Sequence, residues 1–224
     1  SLAGRVADIH YLIPKYKLQI HAEHFQKVSH NLLGIKGAKM KDIRTVRSHS
    51  QAIGQCQKII SEHKLKAIIS ADTAGSAKFV SEKKDKTESA IASELAAKIY
   101  NLEIVKKSIE DDTENVTRFF VMRKESKHPE FKDKKYITSC IFKLKSIPAA
   151  LYKALGGFAT NGVNLCKLES FAVKNTFDQV NFYIDIEGHI EDPPLQKALE
   201  ELGFHTQKLD ILGVYKAHKF RFEN

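Results

Sequence analysis

Residues 161–186 read NGVNLCKLESFAVKNTFDQVNFYIDI, and this stretch decides the fold predicted for the C-terminal part of the chain. The turn formers Asn161-Gly162 and Asn175 bound a first predicted strand, Val163–Val173. A second predicted strand, Val180–Ile186, has an apolar residue at every second position, as is typical of a strand with one face in a core. The stretch therefore predicts two consecutive strands.

The elements on either side of these two strands complete a known order. A strand, Ile137–Lys145, and a helix that begins at Pro148 precede them. A helix, Pro193–Leu202, which is ended by Gly203, and a strand, Thr206–Ala217, follow them. The order βαββαβ is that of the split βαβ sandwich, so we expect an α+β module here.

A charged segment separates this module from the rest of the chain. Residues 123–135, RKESKHPEFKDKK, contain six Lys or Arg residues, three acidic residues and one Pro, and no aliphatic residue. Such a composition is typical of a solvated linker. The predicted domains are therefore residues 1–122 and 136–219, joined by the linker 123–135.

The N-terminal part has an α/β pattern. A helix is predicted to follow the capping-box spacing of Ser48 and Gln51, another to begin at Asp72, and a third to be capped by Thr87. The third carries its apolar residues on one side, at Ile91, Leu95 and Ile99. The predicted strands are Val28–Ile35, Ile43–Val46, Ala67–Ser70, Leu102–Ile109 and Thr117–Met122. Short strands joined by helices predict a mostly parallel sheet with ligand sites at the strand ends.

Composition excludes several classes of protein. The chain has 224 residues, of which 42% are hydrophobic and 28% charged, and this is an ordinary globular composition. No run approaches the ~20 apolar residues of a membrane span, and the start, SLAGRVADIHYL, lacks a signal-peptide pattern. The three cysteines, Cys56, Cys140 and Cys166, are far apart, which predicts no disulfide and a cytoplasmic location.

The charged residues indicate neither a metal nor a nucleic acid as ligand. The ten histidines show no metal-ligand spacing, so no metal and no cofactor are expected. The net charge of +9 permits nucleic-acid binding, but the lysines are scattered and no helix-turn-helix pattern is present. A positive field would equally steer a small dianion to a cleft.

Three polar clusters fall at the ends of predicted strands. They are residues 48–51, residues 72–75 and residues 115–118. The first two place free backbone N–H groups at helix starts, where a carboxylate or phosphate binds well, although ordinary helix capping explains each cluster taken singly. In the third, Arg118 has a simple alternative role, which is to pair with the acidic loop that precedes it, Glu110, Asp111, Asp112 and Glu114.

Taken together, the motifs resemble those of prephenate dehydratase, the family that converts prephenate to phenylpyruvate in phenylalanine biosynthesis. They are SHSQAIGQC at 48–56, ADTAGSA at 71–77, SAIASELAAKIYNLEIVKKSIEDDTENVTRFFVM at 89–122, and the βαββαβ module. The implied fold is α/β, with a two-lobed, periplasmic-binding-protein-like dehydratase domain followed by an α+β, ferredoxin-like ACT regulatory domain. The family has a further N-terminal segment, so the dehydratase domain is expected to be N-terminally incomplete and this chain a fragment.

The resemblance implies an active site between the two lobes. Thr117 would assist the departing ring hydroxyl of prephenate, and Arg118 would anchor a carboxylate with its planar fork of donors. Because a threonine hydroxyl is a very weak acid, this role requires a dry cleft and a positive field. Phe119 is predicted to pack in the core beneath them. The other implied substrate-binding residues are Ser1, Ser48, His49, Gln51, Asp72, Thr73, Ala74, Gly75 and Asn115.

The resemblance also implies control by L-phenylalanine, bound where ACT domains associate in a homodimer or homotetramer. The matching effector positions are Ala149, Ala150, Leu151, Tyr152, Asn164, Glu169 and Ser170. The chain departs from the family pattern at two of these motifs: Ala149 stands where the pattern has Gly, and Phe171-Ala172 stand where it has Arg-Pro. A third departure, Ser50 in place of Pro after Ser48-His49, changes backbone rigidity more than chemistry.

Two other functions stay open from the sequence. Arogenate dehydratase performs the same reaction on an amino-bearing substrate, and the residues do not separate the two. A non-catalytic amino-acid sensor would use the two-lobed part only for binding. The Thr117-Arg118 pair argues against a sensor, which has no need of that hydroxyl.

Overall fold

The computed structural model describes residues 9–124, 127–132, 135–172 and 180–222. The helices are α1 (Ile9–Lys15), α2 (Ser50–Gly54), α3 (Gln57–Glu62), α4 (Thr73–Lys83), α5 (Glu94–Ile99), α6 (Ala150–Thr160) and α7 (Pro193–His205). The strands are β1 (Gln19–Lys27), β2 (Asn31–Gly34), β3 (Thr45–Ser48), β4 (Lys66–Ile69), β5 (Glu88–Ala92), β6 (Glu103–Lys106), β7 (Val116–Arg123), β8 (Tyr136–Leu144), β9 (Leu165–Ala172), β10 (Val180–Glu187) and β11 (Thr206–Lys216). A 3-10 turn, Lys219–Arg221, follows β11.

The described chain divides into two compact units. The first is residues 26–117, and the second combines the described residues 9–25 with residues from 118 onward. The division falls within β1 and β7, which pair with each other in a two-stranded sheet. Residues 9–25, which the sequence places in the N-terminal domain, therefore cluster with the C-terminal module. The domain limits at 122 and 136 stay a prediction.

The first unit is built on a five-stranded sheet in the order β4-β3-β5-β2-β6. Strand β3 runs parallel to β4 and β5, whereas β2 runs antiparallel to β5 and β6. The sheet is therefore mixed, and the expectation of a mostly parallel sheet is corrected to that extent.

The helix predicted from Thr87 onward is wrong. Residues 88–92 form β5, which is buried along its whole length between β3 and β2, and only residues 94–99 are helical. A short continuous apolar run fits a buried strand or a buried helix equally well. Ser93 caps α5 by accepting a hydrogen bond from the Ala96 backbone N–H at 3.2 Å, so the helix start lies six residues later than predicted.

The second unit confirms the predicted βαββαβ order. Its antiparallel sheet has the order β11-β8-β10-β9, and one face packs against α6 and α7 around Phe142, Phe158 and Leu202. Because side chains alternate along a strand, Ile141 and its neighbours point to the opposite face, where they pack with Ile13 of α1. The predicted turn at Asn175 and the end of the strand at Val173 lie outside the described residues.

Two features are absent from the part of the chain that the structure describes. None of its helices is both long enough and apolar enough to cross a membrane. Within the described ranges, no group of three or more His, Cys, Asp or Glu side chains is placed to hold a metal ion.

Candidate active site

A polar cavity of about 270 Å³ lies in the first unit. Residues from four separate segments line it: Val28, His30, His49, Gln51, Ala52, Gln55, Asp72, Thr73, Asn115 and Thr117. Five of the predicted substrate-site residues and the predicted catalytic residue are among them. No lysine or arginine is present among these lining residues, so the lining offers hydroxyls, amides, imidazoles and one carboxylate.

The first side of the cavity is the start of α2. His49 is the N-cap residue of this helix, and its Nδ1 accepts a hydrogen bond from the Gln51 backbone N–H at 3.3 Å. Ser48, one position earlier, is fully buried, and its hydroxyl donates to the Ile91 carbonyl oxygen at 2.7 Å. His49 and Gln51 therefore line the cavity as predicted, whereas Ser48 holds β3 to β5.

The second side is the start of α4. The Asp72 carboxylate caps this helix by accepting a hydrogen bond from the Gly75 backbone N–H at 2.5 Å. A Cβ atom at Gly75 would come within 2.7 Å of the same carboxylate, so glycine is needed for the close approach. Asp72 and Thr73 line the cavity, while Ala74 and Gly75 are not among its lining residues and shape the cap instead.

The third side is the entrance to β7. Thr117, the second residue of this strand, is half-buried, and Asn115 precedes the strand with only 1% of its surface exposed. The amide Nδ2 of Asn115 donates to Gln55 Oε1 at 2.8 Å. His30 Nε2 lies 2.7 Å from the same Gln55 oxygen. His30, Gln55 and Asn115 thus form a hydrogen-bonded chain of three polar side chains in the lining of the cavity that Thr117 also lines.

Sequence reasoning named neither Gln55 nor His30 as a substrate-site residue. The available signal for Gln55 was its position four residues after Gln51, since residues at that spacing share one face of a helix. For His30 no local pattern exists, because its partner lies 25 residues away along the chain.

The acidic loop before Asn115 does not pair with Arg118. Glu110 accepts a hydrogen bond from the His30 backbone N–H at 2.9 Å. Asp111 accepts from the backbone N–H groups of Gln57 at 2.7 Å and Lys58 at 3.0 Å, so it caps α3 from a distant segment. The alternative prediction, that Arg118 pairs with this acidic loop, is therefore wrong.

Arg118 belongs to a buried ion cluster of the second unit. Its Nε donates to Glu23 Oε2 at 2.7 Å, one Nη donates to the Tyr215 hydroxyl at 2.7 Å, and the other Nη pairs with the Asp185 carboxylate. The side chains of Glu23 and Asp185 are 0% exposed. Burial acts to lower the pKa of Arg118, but Asp185 and the neighbouring Tyr215 and Tyr183 together outweigh burial, and the pKa is raised. The guanidinium is engaged on all sides, so this placement does not support the predicted role as a substrate anchor.

Phe119 also differs from its prediction. Its side chain is 51% exposed, whereas Phe120 packs against the cluster that contains Tyr183 and Tyr215. Side chains alternate between the two faces of β7, so Phe120 faces the apolar cluster and its neighbour Phe119 faces away from it.

The predicted effector residues lie on two neighbouring parts of the second unit. Residues 149–152 form the start of α6, and Tyr152 there is 83% exposed. Ser170 is on β9, an edge strand of the sheet, and exposed Asn164 lies just before β9. Glu169, also on β9, accepts from His10 at 2.8 Å. Ser1 lies outside the described residues.

Comparison with known proteins identifies relatives over the whole chain. The profile of the family "Prephenate dehydratase" matches residues 1–127. A bifunctional N-acyl-homoserine lactone acylase/prephenate dehydratase of Komagataeibacter europaeus is 45% identical over 99% of this chain and 79% of its own length. A prephenate dehydratase of Methanocaldococcus jannaschii is 37% identical over 96% of this chain and 78% of its own length. This chain spans only 58% of arogenate dehydratase/prephenate dehydratase 1 of Arabidopsis thaliana, to which it is 36% identical over 96% of its residues.

Solved structures agree with these relatives. A structure described as a novel type of quorum-quenching acylase has a TM-score of 0.87 and 45% identity, covering 99% of this chain and 80% of the other. Prephenate dehydratase of Arthrobacter aurescens in complex with L-Phe has a TM-score of 0.82 and 27% identity, covering 93% and 71%. The family profile covers more than half of the residues, and the matched relatives extend along nearly all of them. The chain therefore belongs to the prephenate dehydratase family, whose members are carbon–oxygen lyases.

Proposed function

We propose that this chain carries the dehydratase site of an enzyme that converts prephenate to phenylpyruvate. The observation that most supports this is the single cavity that Thr117 lines together with His49 and Asp72, which come from three separate segments. Membership of the family supports the class of reaction, and the cavity is the site at which we propose that the reaction occurs. We place the reaction in the cytoplasm, as befits amino-acid biosynthesis.

The reaction needs little from the protein except binding and help for the leaving group. The prephenate dianion loses its ring carboxylate as CO2 and its ring hydroxyl as water, and one proton is taken up. The electrons of the broken C–C bond complete the aromatic ring as the C–O bond breaks. The Thr117 hydroxyl donates a hydrogen bond to the departing oxygen, and this stabilises the charge that develops there.

The two carboxylates of the substrate must be held without Arg118. In the described lining, the groups suited to this are the first-turn backbone N–H groups of α4 that the Asp72 cap does not already bind, at the positive end of the helix dipole. His49 is a second candidate for a proton donor, because it lines the same cavity.

The direct test is the rate of phenylpyruvate formation from prephenate at neutral pH. We would measure it for this chain and for an extended protein, in which the N-terminal segment of the Komagataeibacter relative precedes this sequence. Thr117→Val in the active form should lower kcat by about 10²- to 10⁴-fold, the usual contribution of a positioned acid. Thr117→Ser keeps the hydroxyl and should retain most of the turnover. Wild-type turnover in Thr117→Val would refute the role of Thr117.

Two other substrates belong in the same experiment. Arogenate is included because several relatives are arogenate dehydratases. An N-acyl-homoserine lactone is included because the Komagataeibacter relative is named as an acylase as well as a dehydratase. Acyl release without phenylpyruvate formation would move the assignment to the acylase activity.

We further propose that L-phenylalanine controls the enzyme through the second unit, where this unit associates with a second copy. The exposed start of α6 and the edge strand β9 support this, as does the L-Phe complex of the Arthrobacter relative. Calorimetric titration with L-phenylalanine, with the mass of the particle followed by light scattering, tests it. We expect saturable binding to a dimer or tetramer, weakened at least tenfold by Glu169→Ala. A folded dimer that binds no L-phenylalanine would end this proposal.

A further inference from the structure

One buried atom in the cavity has no hydrogen-bond donor within the described chain. It is Oδ1 of Asn115, on a side chain that is almost completely buried. A buried acceptor without a donor is costly, and such atoms in native proteins tend to mark places where a ligand or water binds. Asn115 is one of the residues that line the cavity, so this acceptor lies beside the space in which a ligand would bind.

In the structure, the Asn115 amide turns its NH2 group toward Gln55. Gln55 Oε1 can only accept, so the Asn115 atom 2.8 Å from it must be the NH2 group. His30 Nε2 approaches the same Gln55 oxygen at 2.7 Å and is therefore the protonated ring nitrogen. The backbone of Asn115 is held as well, since its carbonyl oxygen accepts from the Val28 N–H at 2.9 Å. With NH2 committed to Gln55, Oδ1 is the atom left for a ligand.

The ligand group that meets this oxygen must be a donor. At neutral pH prephenate has two ionised carboxylates and one ketone, all of which only accept, and a single donor, the ring hydroxyl. Asn115 directly precedes β7 and Thr117 is the second residue of that strand, and both residues line the same cavity. The ring hydroxyl can therefore give its hydrogen to Asn115 while its oxygen receives the hydrogen bond of Thr117.

We propose that Asn115 Oδ1 binds the ring hydroxyl of the substrate and turns a lone pair of the leaving oxygen toward Thr117, and that Gln55 and His30 are positioning residues for Asn115. This inference rests on the proposed dehydratase function and adds to it the group that recognises the leaving hydroxyl. In the step, the C–O bond breaks, the O–H bond to Asn115 stays intact, and the second hydrogen of the product water comes from the proton taken up through Thr117.

The product supplies a control that separates recognition from simple structural damage. Phenylpyruvate has lost the ring hydroxyl, so its affinity should not depend on Asn115. In the extended protein we would measure kcat and KM for prephenate and the inhibition constant of phenylpyruvate for Asn115→Leu. We expect kcat to fall by at least about tenfold, the effect of one lost hydrogen bond in the transition state, with the inhibition constant changed by less than about threefold.

The Gln55 variants test the positioning part of the inference. Gln55→Met removes the oxygen that holds the amide of Asn115, and kcat should fall several-fold with little change in the phenylpyruvate inhibition constant. Gln55→Glu keeps an acceptor for both His30 and Asn115, so kcat should recover toward wild type, while the added negative charge raises KM for the dianion. Because Gln55 is only half-buried, these variants should fold even if Asn115→Leu does not.

Each result decides between the alternatives. Unchanged kcat in both Asn115→Leu and Gln55→Met would overturn the inference while leaving the dehydratase function in place. Parallel loss of turnover and of phenylpyruvate affinity would show a merely structural role and would overturn it too. An extended wild-type protein that does not convert prephenate would instead overturn the proposed function, and this inference with it.

Discussion

At the scale of single residues, the most informative placement is that of Arg118. Its partners Glu23 and Asp185 are 95 and 67 residues away in the sequence, so no local pattern could have identified them. Arg221 completes the cluster by donating to both oxygens of Glu23 at 2.7 and 2.9 Å. Two buried carboxylates thus face two guanidinium groups. Buried charges are tolerated when they are paired in this way, and removing one partner is strongly destabilising.

The Glu23 carboxylate should make folding stability depend on pH. Burial acts to raise its pKa, but Arg221, the His218 backbone N–H and Arg118 together hold the pKa below the ordinary value of 4.5. A depressed pKa contributes stability above the unfolded value, and this stability is lost as the pH falls through the folded value. We expect the free energy of unfolding, measured by denaturant titration, to decline below about pH 4.5.

The variant Glu23→Gln isolates this contribution. It should cost about 3 kcal/mol at neutral pH, because it breaks a buried pair, and its loss of stability in acid should be shallower than that of the wild type. Glu130→Gln is the matched control, since Glu130 forms an exposed pair with Lys132 and should cost less than about 1 kcal/mol. Equal acid sensitivity of Glu23→Gln and the wild type would contradict this account.

At the scale of helices and strands, the sequence predicts well where one periodic pattern is long enough to be unambiguous. The β10 strand and the helices α6 and α7 were found because their apolar spacing persists over eight or more residues. The β5 strand was missed because five buried residues carry no readable period. The single helix predicted from Ser48 is in fact two helices, since α2 ends at Gly54 and α3 begins at Gln57. The start of α3 was not predictable locally, because the residue that caps it, Asp111, lies more than fifty residues away.

The start of α6 contains a residue in an unfavourable backbone conformation. Ala149 has φ 57° and ψ 29°, the left-handed region that costs an L-residue roughly 1–2 kcal/mol. Glycine avoids this cost but loses more entropy on folding, by roughly 0.5–1 kcal/mol. We therefore expect Ala149→Gly to raise the free energy of unfolding by up to about 1 kcal/mol. Ala159→Gly, at an exposed position late in the same helix, should lower it by a similar amount. A loss of stability in Ala149→Gly equal to that in Ala159→Gly would contradict the argument.

At the scale of the whole molecule, the motifs of the site were predictable and their connections were not. The clusters at residues 48–51, 72–75 and 115–118 each contribute to the cavity, as strand-end placement suggests. The long-range contacts that give each residue its role could not be predicted, and they join Ser48 to Ile91, Asn115 to Gln55, and Arg118 to Glu23. Residue types are visible in a sequence, but a partner is a property of the folded chain.

The second unit is built from two stretches that are separate in the sequence, and this limits how its gene could be recombined. A crossover in the segment that encodes residues 123–135 would transfer the βαββαβ module but leave behind residues 9–25. The recipient would inherit a sheet whose Ile137, Ile141 and Tyr183 had lost Ile13 and Ile20 as packing partners, and an Asp185 without Arg118. Recombination within the linker 123–135 would therefore yield a damaged module. An intact transfer would have to include α1, β1 and β7 together with the βαββαβ module.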